Sequence, residues 1–141
     1  MTSDGMALAA IVILLFPIGY FFLASPAFLL VKLDIPPVTQ LLRGMFNIHF
    51  LVTATAAVIG TVTFALTGRL VFAVAVALVA AFAVWARGWF LQQWDIYLSA
   101  RDAGDATAVR QLRRLHWVGM LCNAVLLCAV VVSIPYVSAT V

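Results

Sequence analysis

The side chains equipped for chemistry gather in one stretch. Arg110, Arg113, Arg114, His116, Trp117 and Asn123 stand at the mouth of an apolar run. Arg113, His116, Met120, Asn123 and Leu127 step by three and four, so they share one helix face. The opposite face is Leu, Val, Ala and Cys. A polar stripe running inward from an arginine-rich end fits a helix entering a bilayer with that stripe turned toward protein. Counting back from a turn at Ala103–Gly104 brings two more groups to this zone. Asp95 falls near Arg113, and Arg87 falls one turn from His116 and Asn123. Trp89, Trp94 and Trp117 crowd the same level. The spacing therefore predicts a polar cluster of Arg87, Asp95, Arg113, His116 and Asn123, with Arg43, Asn47 and His49 as additions from another helix.

Two chemistries compete for this cluster. Histidines on different helices of a bundle can ligate a haem b iron from both sides. His49 and His116 could instead hold a metal ion with Asp95 or Cys122 as a third ligand. Neither histidine sits in an HxxxH or CxxCH motif, and no metal ligand set is assigned. The plainer reading is structural. Arginine and asparagine within a membrane pair with one another and lock helices together, with Asp95 and Arg113 as the expected clasp. Serines lack a neighbouring His–acid pair, phosphate loops are absent, and no carboxylate falls at mid-membrane. No catalytic residue is assigned.

The elements that must position these groups follow from composition. Of 141 residues, 66% are hydrophobic and 9% charged, with five acidic groups, all Asp. A soluble domain carries roughly 25% charged residues, so lipid must serve as the solvent. The net charge of +3 does not suggest nucleic acid. Four apolar segments exceed the roughly 20 residues needed to span a bilayer. They lie at about 6–33, 38–66, 69–100 and 106–134, within a single integral membrane domain covering residues 1–141. The first reads as a retained transmembrane helix. Pro36-Pro37 breaks the chain before helix two, Gly68 stops helix two, Asp105 suits the N-cap of helix four, and Pro135 ends it. Residues 136–141 read as a short loose tail. Thr53, Ala56 and Gly60 form a small-residue packing seam. Cys122 and Cys128 read as buried small apolar residues.

The expected fold is therefore all-α, a four-helix transmembrane bundle of two antiparallel hairpins, with helices three and four extending into the cytoplasm. Lys32, Arg43, Arg87, Arg101, Arg110, Arg113 and Arg114 lie toward one side, and Arg69 toward the other. The positive-inside rule then puts both termini in the periplasm of a bacterial inner membrane.

The step Arg114-Leu115-His116 followed by Asn123 resembles bacterial proteins of a domain-of-unknown-function family related to transmembrane protein 205. That resemblance covers the last two helices and implies a four-helix membrane protein with no established chemistry. The chain departs from it at Gln92–Asp95, where an acidic-Pro step is usual, and at Gly119, where Ser is more familiar. The step Leu115-His116-Trp117-Val118 is similar to anthrone-oxygenase-like membrane proteins, which would imply a small oxygenase. The leading expectation is an accessory or interaction subunit without catalysis or cofactor of its own, associating with itself or with other membrane subunits in the bilayer. The alternatives are a haem- or metal-binding redox protein using His49 and His116, and a small membrane oxygenase or carrier.

Overall fold

The computed structural model describes residues 3–30 and 32–138. Helix α1 spans Ser3–Ala24 and passes into a 3₁₀ segment, Ser25–Leu29. Helices α2 (Pro36–Leu66), α3 (Leu70–Asp102) and α4 (Ala108–Ser138) follow. The described residues hold no strand, and all four helices are long and apolar enough to cross a membrane.

The boundaries differ from expectation where proline acts. Helix one does not continue to 33. Pro26 has no N–H for the helical ladder and disfavours α geometry in the residue before it, so the chain tightens into the 3₁₀ segment at Ser25. Pro36 and Pro37 do not stand outside helix two. They open it, where their missing N–H groups cost nothing, and the Thr39 hydroxyl donates to the Pro36 carbonyl at 2.9 Å. Pro135 does not end helix four, which runs on to Ser138. So close to a terminus, a proline removes one bond from a ladder that is already ending. Residues 139–141 of the expected tail lie outside the described residues.

The two tight reversals use glycines with left-handed backbone, Gly68 (φ +76°) and Gly104 (φ +91°). Asp105 stands two residues before the N-cap position of α4 rather than at it. Its Oδ1 accepts the Thr107 N–H (2.7 Å) and hydroxyl (2.8 Å), and α4 starts at Ala108. These donors, the backbone N–H first, hold the Asp105 carboxyl below the usual carboxylate range.

Each helix packs on its neighbours in the order α1, α2, α3, α4 and back to α1. The α2–α3 seam is the most extensive and α3–α4 the lightest. Thr53, Ala56 and Gly60 are all buried on α2, and the bare face of Gly60 meets the Val76 side chain of α3. Two cores result. One gathers Ile11, Ile18, Ala57, Phe64 and Val76; the other gathers Phe21, Leu42, Phe46, Phe90, Trp94 and Leu112. Cys122 and Cys128 are exposed rather than buried, because α4 turns Asn123 and Val130 inward instead.

Candidate functional site

The polar groups fall into two ladders along opposite seams. On the α2–α3 seam, partners count outward from the Gly68 turn in step. Gly60 meets Val76, Asn47 meets Arg87, Arg43 meets Asp95, and Thr39 meets Arg101. The Arg87 Nε–H donates to Asn47 Oδ1 at 2.8 Å. Arg43 forks onto Asp95 through Nε (2.6 Å) and a terminal nitrogen (2.8 Å), a bidentate guanidinium–carboxylate pair. Arg101 donates to the Thr39 hydroxyl at 2.8 Å and also grips Asp102.

The α1–α4 seam carries the second ladder. His116 and Asn123 are two turns apart on α4, and Ser25 and Ile18 are equally spaced on the α1 side, running the other way. The Asn123 amide donates to the Ile18 carbonyl at 3.0 Å. His116 Nε2 and the Ser25 hydroxyl lie 2.9 Å apart, both fully buried. At the far end Arg69 binds Asp4 with one nitrogen and the Val137 carbonyl with another, so the ends of α1 and α4 meet the α2–α3 turn.

The expected cluster thus divides. Asp95 is taken by Arg43 on α2, in place of the expected clasp to Arg113 on α4. Arg87 reaches Asn47, while His116 and Asn123 face α1. Trp94 is fully buried, whereas Trp89 and Trp117 are exposed. A register set at Gly104 pairs α3 with α4, whereas the polar partners of α3 follow the register set at the Gly68 turn. Ser25 and the Ile18 carbonyl carried no signal, since nothing in an apolar first helix marks which backbone carbonyl an asparagine will find.

The two histidines do not meet. His49 stacks on Phe21 (ring centroids 4.0 Å apart, planes at 24°), Phe21 packs on Phe46 (4.9 Å), and the Phe46 ring meets His116 edge-on (5.6 Å). The imidazoles are joined through two phenylalanine rings, and His116 Nε2 is already engaged by Ser25. Among the described residues no group of three or more His, Cys, Asp or Glu side chains comes together. Gly119 is what lets the aromatic chain close. A Cβ there would stand 2.5 Å from Phe46 Cε1 and 3.1 Å from Phe90 Cε2.

Two hollows adjoin His49. A cleft of about 320 Å³ between α1 and α2 is lined by Phe16, Pro17, Phe21, Met45 and Val52, with His49 and Tyr20 as its polar side chains. A crevice of about 30 Å³, the scale of a single water, lies between His49, Thr53, Ala83, Gly119 and Asn123. His49 Nδ1, Thr53 Oγ1 and Asn123 Oδ1 are buried with no hydrogen-bond partner among the described residues, as are Trp94 Nε1 and His116 Nδ1.

No family model, curated protein or solved structure matches this chain.

Proposed function

We propose that this chain is a non-catalytic membrane subunit, a four-helix scaffold that associates with copies of itself or with a larger membrane assembly. The observation that carries the reading is the use made of its polar side chains. Arg43, Asp95, Arg87, Asn47, Arg101, Ser25, His116 and Asn123 are spent on one another and on backbone, tying helix to helix. Among the described residues, Ser25 and His116 form a hydroxyl–imidazole pair that is fully buried, and His49, Thr53 and Asn123 converge on a crevice of only about 30 Å³, so neither group offers the substrate space a reaction centre requires.

The outer surface supports an interaction role. In the most apolar stretches of α3 and α4 only 17% of residues are buried, against 39% in α1. Phe82, Trp85 and Trp89 form an outward ladder on α3, with the two indoles nearly parallel at 11° and 6.4 Å apart. Trp85 lies about 22 Å along its helix at 1.5 Å per residue, roughly 8 Å short of the far edge of a core of about 30 Å. The exposed stacked pair is available to another protein as well as to lipid.

In this reading the chain forms two antiparallel hairpins, α1–α2 and α3–α4, cross-tied along the α2–α3 and α1–α4 seams. The basic end faces the cytoplasm of a bacterial inner membrane, α3 and α4 project there, and both termini face the periplasm. Within the Arg114–His116–Asn123 step, which resembles the family related to transmembrane protein 205, His116 and Asn123 serve as helix ties.

The test is co-purification in mild detergent. The native chain should travel with a constant partner or with further copies of itself, and Trp85→Ala with Trp89→Ala should release it while the helical content stays unchanged. A chain that migrates alone in several mild detergents contradicts the proposal.

A further inference from the structure

We infer that the outer face of α4 at its basic end is a binding site for an anionic phospholipid, with Arg110 and Arg114 on the phosphate and Trp117 at the headgroup–acyl boundary. Arg110, Arg114, Trp117, Leu121 and Val125 follow steps of three and four, so they form one stripe, and all five are exposed. The stripe is cationic, then amphipathic aromatic, then aliphatic. A phospholipid has the matching profile along its length: anionic phosphate, polar boundary, acyl chain.

Charge distribution selects an anionic headgroup. The basic end of the bundle holds Lys32, Arg43, Arg87, Arg101, Arg110, Arg113 and Arg114 against Asp34, Asp95, Asp102 and Asp105. Seven basic and four acidic groups leave the chain's whole excess of three at this end, while Arg69 and Asp4 cancel at the other. Three of these four carboxylates are occupied. Asp95 is gripped by Arg43, Asp102 by Arg101, and Asp105 accepts from Thr107. Among the described residues neither Arg110 nor Arg114 has an ion-pair partner.

Local energetics point the same way. Like charges one turn apart on a helix repel, and α4 has no acidic residue in its first turn to offset them. A phosphate between the two guanidinium groups turns that repulsion into two charge-assisted contacts, for which the planar guanidinium is well shaped. Depth fits as well. No charged residue follows Arg114 in α4, so the rest of that helix can lie in hydrocarbon. Trp117, one turn further along, then falls at the level where indoles anchor.

The test uses the full-length chain in detergent, probed by native mass spectrometry with phosphatidylglycerol and phosphatidylcholine of identical acyl chains. The wild-type chain should retain phosphatidylglycerol about 30-fold better, and less so as salt rises from about 0.05 to about 0.5 M, where screening shortens. Arg110→Gln with Arg114→Gln should weaken phosphatidylglycerol about 30-fold, the effect of two arginines at an anionic surface, with phosphatidylcholine binding and helical content unchanged. Arg110→Lys with Arg114→Lys should keep part of the preference. Equal retention of the two lipids by the wild-type chain, or a preference that survives the double glutamine variant, would overturn the assignment. Should the double variant fail to fold, the wild-type salt series decides. Loss of phosphatidylglycerol with salt upholds the site, and indifference to salt removes it.

Discussion

Gly119 is the residue on which the aromatic core turns. Adding a methyl group there forces Phe46, which is fully buried and touches Phe21, Phe90, Trp94 and His116. Gly119→Ala is expected to destabilise the bundle by about 1–3 kcal/mol through overpacking. Gly60→Ala should be near neutral, because its new Cβ would lie 3.2 Å from a single methyl of Val76 and the helix-propensity gain of roughly 1 kcal/mol offsets the crowding. Denaturant or steric-trapping titrations in detergent would rank the two. The buried ties are expected to matter more than the polar rim. Asn123→Ala removes the bond to Ile18 and should cost about 1 kcal/mol, the usual scale for an interhelical hydrogen bond in a membrane protein. Ser25→Ala strands His116 Nε2 in the core and should cost about 1–3 kcal/mol. Little of this was legible in the sequence. His116 and Asn123 stood out because they are polar in an apolar run, and their shared face followed from spacing. Their partners did not, since a backbone carbonyl of Ile18 looks like any other and Ser25 stands beside a proline that hides its role.

At the scale of elements, the α2–α3 pair is held by packing more than by charge. The Arg43–Asp95 fork is half exposed, with side chains 38% and 52% accessible, so solvent screening keeps its contribution to under about 1 kcal/mol despite its good geometry. A double-mutant cycle with Arg43→Gln and Asp95→Asn should give a coupling within that bound. The start of α4 carries a pH signature. The folded carboxyl of Asp105 titrates below its unfolded value, so its contribution to stability is present above the ordinary carboxylate pKa and is lost as pH falls through the depressed one. Thr107→Val removes the hydroxyl and keeps the N–H, so an NMR titration of Asp105 should show a partial upward return of its pKa. The helices themselves were plain in the sequence, since long apolar runs between Gly68 and Gly104 admit few alternatives. Their ends are least legible where proline sits. Pro36 and Pro135 look like breakers in sequence, yet a proline in a first turn, or close to a last one, removes little that the helix uses. The seam partners depend on which turn sets the register: α3 and α4, joined at Gly104, touch least, whereas α2 and α3, joined at Gly68, touch most.

For the whole molecule, lipid and other proteins compete for the same outer surface. Cys122 and Cys128 lie on it, along an uncharged half of α4 that the proposed reading places in hydrocarbon. A water-soluble maleimide should therefore leave both unmodified in intact membranes and label both after denaturation in detergent. On the proposed reading, polar side chains between the helices tie the bundle together and the chain works through its surface. The mass and absorption spectrum of the particle released from native membranes by mild detergent decide this. A colourless particle heavier than one 15.2 kDa chain, containing further copies or one constant partner, is expected. A solitary chain, or a particle with a Soret band or stoichiometric metal lost on His49→Ala or His116→Ala, would overturn the reading.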